Sequence, residues 1–344
     1  MTPAPTDLAP TDLAANERPA AAPGSNPGAG HMLGVLFCLF AATAWGTTGT
    51  AATFAPGVGP LAIGAAAMGF GGLLQAFVAR RGIRAHWPVL RARLPLLALG
   101  AVAVAVYPLA FYASMRLAGV TIGTVISIGA APVISALIEN RLEGRRLTLR
   151  WAIGAAIGLS GIALLSMTPH APGSPVTGAS GTAAPDVALG AALGLLAAAT
   201  YALYSWTSRR LMHRAGGHAA LPSRVAMGAT FGLGGLLLMP VLAATGAAFL
   251  EGPVNLAVGL YMAVVPMFLG YLAFGAGLAR VPASTATTIT LFEPVVAAIL
   301  AIHVVGEMLT PRGWLGVALV IACLLWTSWP MGRARRCTRK SAAG

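Results

Sequence analysis

Apolar residues run through this chain in ten long blocks, with short polar or glycine- and proline-rich breaks between them. The blocks cover approximately 33–53, 59–79, 94–114, 118–138, 151–168, 187–207, 223–245, 254–276, 282–303 and 312–330. Most come close to the roughly 20 residues that cross a hydrocarbon core of about 30 Å. The pattern predicts an all-α polytopic membrane protein with ten transmembrane helices. Residues 1–31 are rich in Pro, Ala and Gly, which cannot build a packed element, so they read as a disordered tail. That tail lacks the basic start of a signal peptide. Pro, Gly, Ser and Thr dominate the stretch 169–186, which predicts a flexible loop between blocks five and six. Residues 331–344 form a basic tail.

Composition agrees with this pattern. Of 344 residues, 57% are hydrophobic and only 9% charged, too few charges to cover a soluble fold of this length. The net charge of +13 does not point to nucleic acid, because the arginines lie in short breaks with no interleaved aromatic residues. Their placement reports orientation instead. With ten spans, one side receives Arg80 to Arg93, Arg141 to Arg150, Arg209 to Arg224, Arg312 and both tails, and the other side Arg116 and Arg280, a split of 20 to 2 among the 22 basic residues. The positive-inside rule then predicts cytoplasmic termini, an extracytoplasmic 169–186 loop and a place in the cytoplasmic (inner) membrane. Three cysteines, Cys38, Cys323 and Cys337, show no metal or redox spacing, so neither metal nor cofactor is expected.

The chain also matches itself. Residues 131–156 align without a gap on 293–318, pairing Pro132 with Pro294, Gly144 with Gly306, Thr148 with Thr310 and Arg150 with Arg312. Residues 107–116 align on 271–280, pairing Tyr107 with Tyr271 and Arg116 with Arg280. A repeat of five spans must enter the membrane the second time with reversed orientation. Two inverted five-helix repeats are the architecture of many secondary transporters, which rock about a midplane site.

The stretch LFEPVVAAILAIHVVGEMLT (291–310) resembles the signature of the EamA-type transporters of the drug/metabolite transporter superfamily. It has a Glu-Pro pair in the ninth helix, followed by Gly-Glu and Leu-Thr that we assign to its cytoplasmic end. The resemblance extends over roughly 33–330. It implies ten helices in two inverted EamA repeats, 32–168 and 187–330, and small-molecule transport, often export of amino acids or other metabolites. Two positions depart from the pattern. Arg145 stands where the second repeat has Glu307, and Ala67 stands where many relatives carry an arginine, so no arginine-based mechanism carries over.

Glu293 is the one acidic residue near the middle of any block. A charge at that depth costs roughly 2.5–3.5 kcal/mol on insertion scales, and Pro294 removes a backbone donor beside it. Both are tolerated where a helix faces a cavity or the bundle interior rather than lipid. Two readings follow: a carboxylate that meets substrate or carries a proton, or a protonated side chain that bonds two helices together. Trp45, Tyr107, Tyr201 and Tyr271 recur at equivalent inner positions and are candidate walls of the same site. Pro132 and Pro294 are candidate kinks. The pairs Gly154/Gly158, Gly190/Gly194 and Gly228/Gly232 predict close helix contacts.

No second mid-span carboxylate accompanies Glu293, and no nucleotide-binding loop is present, so neither an enzyme nor an ATPase is expected. Phosphorylated substrates are disfavoured because no Lys or Arg lies near mid-span. The sequence predicts a secondary transporter that exports an amino acid or similar amphipathic solute, with protons as candidate coupling ion, acting as monomer or homodimer. An uptake permease of the same fold and a non-transporting membrane scaffold are the alternatives.

Overall fold

The structure is a computed structural model and describes residues 27–166, 186–214, 217–305 and 310–328. Among the described residues there is no β-strand. Eight helices are long and apolar enough to cross a membrane: α1 (Ala29–Thr53), α2 (Pro60–Ala85), α3 (Leu94–Ala118), α4 (Ile122–Glu143), α6 (Val187–Met212), α7 (Ser223–Leu250), α8 (Pro253–Leu278) and α9 (Ala283–Val304). Two more apolar helices, α5 (Leu149–Leu165) and α10 (Pro311–Thr327), are shorter. They fall on the fifth and tenth apolar blocks. The expected tails and the 169–186 loop lie almost wholly outside the described residues. The first helix begins at Pro27, inside the segment expected as tail, because proline's fixed φ and missing N–H suit the first helical turn.

Small residues let these helices approach closely, as membrane packing requires where no hydrophobic force separates helix from lipid. A Cβ built on Gly228 would stand 2.6 Å from Ala79 Cβ, and one on Gly235 would stand 2.6 Å from the Gly69 carbonyl, so α7 lies directly against α2. A Cβ on Gly190 would stand 2.6 Å from Ala118 Cβ, setting α6 on α3. Gly154 and Gly158 face Thr327 and Cys323 in the same way, setting α5 on α10. Gly34 meets Arg280 and Val281, which places the start of α1 at the end of α8. The end of α4 meets the start of α9 through Glu139. All five pairs run antiparallel.

These pairings correct the sequence-based sides of two arginines. Arg280 stands over the Phe37 ring at 5.3 Å, and the neighbouring Val281 carbonyl accepts from Arg209 Nε at 3.0 Å. Arg280 is therefore on the arginine-rich end with Arg209. Arg312 opens α10, whose far end meets Arg150: Trp326 Nε1 donates to the Arg150 carbonyl at 2.9 Å. Arg312 is thus on the opposite end with Thr310, whose hydroxyl accepts from the Gly313 N–H, and not at the cytoplasmic end expected for the signature; the rest of the Gly-Glu and Leu-Thr signature, 306–309, lies outside the described residues. The error came from assigning loops by arginine content alone. One arginine moves each way, which leaves the 20-to-2 arithmetic unchanged.

At the arginine-rich end, helix ends are joined by side chains that the sequence did not single out. Glu139, buried at 3% exposure, accepts from the Ala283 N–H at 2.7 Å and from the Ser284 hydroxyl at 2.5 Å, and so caps α9. Glu143, one turn on, accepts from Trp206 Nε1 at 2.9 Å and lies 3.7 Å from Arg209. Arg93 donates to the carbonyls of Arg210, Leu211 and His213 at the end of α6.

Candidate functional site: a carboxylate in an aromatic cavity

The α9 backbone explains the Glu-Pro pair. Its first half is rich in Ser and Thr, whose hydroxyls return to the helix: Thr287 donates to the Ala283 carbonyl at 2.9 Å, Thr288 to Ser284 at 2.7 Å and Thr290 to Thr287 at 2.9 Å. Such back-bonding bends helices. At Thr290–Phe292 the helix tightens to 3₁₀, and an α-helical segment starts afresh at Glu293. Pro294 occupies the first turn of that segment, where its missing N–H costs little. The pair therefore marks a local restart of the helix. Pro132, its partner in the repeat alignment, sits instead inside the continuous helix Val120–Glu143.

Glu293 opens into a cavity of about 50 Å³. One water needs roughly 10–15 Å³ on this scale, so the space holds a few waters or part of a small solute. Both halves of the chain line it. Trp45, Tyr107, Tyr201 and Tyr271, all expected at the site, share its wall with Glu293. Ala67, noted in the sequence as a departure from the family pattern, also lines the cavity, and Thr48, Phe111, Tyr112 and Met267, which escaped the sequence reading, complete much of the rest. An aromatic run on one face of α3 (Tyr107, Phe111, Tyr112) was the available signal for two of them.

Ring contacts hold the wall. Trp45 lies 4.6 Å from Tyr271 and 5.2 Å from Phe274, centroid to centroid, and Tyr107 lies 5.6 Å from Tyr201. Trp45 Nε1 donates to the Pro266 carbonyl at 2.9 Å, in the π-helical stretch Ala263–Gly270 of α8. Glycine is required at 270, where a Cβ would stand 2.8 Å from that indole nitrogen. The Tyr204 and Tyr271 hydroxyls bond each other at 2.8 Å. Tyr201 bonds Thr290 Oγ1 at 2.7 Å.

Glu293 differs from its neighbours. It is half-buried, and among the described residues its carboxylate has no hydrogen-bond or ion-pair partner. No Lys, Arg or His lines the cavity, and Ala67, 1% exposed, is part of its wall. Gly46 brings α1 against the same turn: a Cβ there would stand 2.8 Å from the Glu293 carbonyl oxygen. Among the described residues no group of three metal-ligating side chains occurs.

Many apolar helices of spanning length define a multi-pass membrane protein. Comparison with known proteins gives its family. The family model described as "EamA-like transporter family" matches twice, at residues 32–167 and 188–329, and the chain belongs to that family. It is 34% identical over 294 residues to the uncharacterized transporter YwfM of Bacillus subtilis (strain 168), covering 84% of this chain and 92% of that one. It is 28% identical over 250 residues to a probable terminal-alkyne amino-acid exporter of Streptantibioticus cattleyicolor, covering 71% of this chain and 77% of that one. A solved crystal structure superposes with a TM-score of 0.64 at 18% identity, over 85% of this chain and 95% of that one, a likeness of fold alone.

Proposed function

We propose that this protein is a secondary transporter that exports an amino acid or similar small amphipathic solute across the cytoplasmic membrane by alternating access. The observation that carries the reading is Glu293: a carboxylate without a protein partner, in an aromatic cavity built by both halves of the chain. A carboxylate bonding helices together would have an interhelical partner, and this one has none among the described residues. Such a group can exchange a proton with the cavity or meet a substrate amine.

The architecture we propose is ten spans in two inverted repeats, 32–168 and 187–330, with both termini cytoplasmic. Exchanging the halves supports this: α1 on α8 becomes α6 on α3, and the pairs α2–α7, α4–α9 and α5–α10 map onto themselves. The aligned pairs Arg116/Arg280 and Arg150/Arg312 fall at opposite ends, as inversion requires. The two shorter helices are near the lower limit of about 17 residues for a span. In this conformation Glu139, Glu143 and Arg93 join neighbouring helix ends at the arginine-rich end, which we take as cytoplasmic. Proton coupling fits a site whose one charged group can be neutralised, and the name of the Streptantibioticus relative supports both direction and solute class.

The test is an efflux screen with radiolabelled amino acids and toxic analogues, in cells lacking or overproducing the protein. Faster efflux of one solute class on overproduction supports the reading. Unchanged flux of every solute, with the protein inserted, leaves it a scaffold.

A further inference from the structure

Resting on that transport reading, we propose that the cavity selects solutes of net charge +1: an amine whose carboxyl is absent or masked as an amide or ester, in preference to a free zwitterionic amino acid. Three observations carry this. The cavity wall holds one ionisable carboxylate and no cation. That carboxylate has no partner among the described residues. Much of the rest of the wall is aromatic, with Trp45, Tyr107, Phe111, Tyr112, Tyr201 and Tyr271 among its residues.

An ammonium group answers all three. It pairs with Glu293 and is attracted by ring quadrupoles that repel anions. A substrate carboxylate finds no such match. Leaving water for a site of low polarity is expensive for a charge unless a counter-charge and hydrogen bonds replace the water. Here no Lys, Arg or His lines the wall to hold the counter-charge. The Tyr201 hydroxyl is engaged with Thr290, and the Tyr204 and Tyr271 hydroxyls share one bond, which leaves one neutral O–H between them. Tyr107 and Tyr112 remain as neutral donors, suited to an amide or ester carbonyl rather than to a full negative charge. A single charge of each sign, one from the wall and one from the solute, leaves nothing unpaired.

The experiment compares three probes of nearly one shape: leucine (zwitterion), leucinamide (monocation) and 4-methylpentanamide (neutral). The full chain is purified in detergent and binding is measured at about pH 6.5, where an α-amine of pKa about 7.7 is protonated. Leucinamide should bind about tenfold or more tightly than either other probe, the factor expected of one desolvated cation site. Glu293→Gln, which keeps the shape, should abolish that preference while the ligand-free melting temperature stays unchanged. Leucine binding as tightly as leucinamide, a preference that survives Glu293→Gln, or no binding by any probe overturns the proposal. Flux of the same probes in proteoliposomes separates the two claims. Binding with the expected preference but no flux of leucinamide removes the transport reading alone. Flux with leucine preferred removes the charge selection alone.

Discussion

Tyr201 donates its hydroxyl to Thr290 Oγ1 at 2.7 Å, tying α6 to the turn on which Glu293 is mounted. The direction is fixed because the Thr290 hydroxyl spends its own hydrogen on the Thr287 carbonyl at 2.9 Å. Tyr201→Phe should lower stability by about 0.5–1.5 kcal/mol, the usual net worth of one hydrogen bond. Thr290→Val should add little once Tyr201 is phenylalanine, since the two act on one bond. Thermal unfolding of the single and double variants in detergent measures this; full additivity would mean the bond holds nothing.

Glu139 caps α9 from α4 while buried. Glu139→Ala leaves the Ala283 N–H and the Ser284 hydroxyl without their acceptor and should cost about 1–3 kcal/mol. Glu139→Gln, which keeps one acceptor oxygen, should cost less. Equal stability of all three proteins would show that water replaces the cap, and the arginine-rich end would then be loosely joined.

The sequence announced the helices clearly. Lipid forces each span to be apolar throughout, so the blocks stood out without periodicity, and their ends were good to a few residues. Glu293 and its aromatic wall were legible for the same reason, because polar or aromatic residues at aligned inner positions are conspicuous against Ala and Leu. What stayed hidden depended on which helix ends meet. Arg280 and Arg312 were an avoidable exchange: strict alternation of ten spans puts the loop after the eighth on the side of the termini and the loop after the ninth on the other, and arginine content was allowed to override it. Glu139 and Glu143 drew no attention in the sequence, because their roles depend on the start of α9 and the end of α6 lying beside them. The 3₁₀ turn before Glu293 was also invisible, since proline alone does not reveal whether it kinks a helix or starts one.

Pro132 and Pro294 align in the repeat but differ in backbone setting, one inside a continuous helix and one at a restart. Both alanine variants should insert. Pro294→Ala should reduce flux more, because it lets an unbroken ladder form through Thr290–Phe292 and re-aims Glu293. Wild-type flux in both would leave the prolines as inherited geometry.

Orientation is open to direct labelling. A reporter fused after Gly344 should be cytoplasmic, and one inserted near Gly173 should face outward. Arg280→Cys in a Cys337→Ser background should react with a membrane-impermeant thiol reagent only in inverted vesicles; Cys38 and Cys323 are buried and stay silent. Labelling of the Arg280→Cys variant from outside intact cells would overturn the ten-span arrangement.

The role of Glu293 is tested most directly by initial efflux rates of Glu293→Gln across a pH series, normalised to membrane-inserted protein. Glutamine keeps the shape and hydrogen-bonding capacity of the side chain but fixes it as neutral. A carboxylate that carries a proton or meets a substrate amine predicts normal insertion, lost flux, and loss of whatever pH dependence the wild type shows. Wild-type rates at every pH would contradict the account and leave Glu293 a bystander in its cavity.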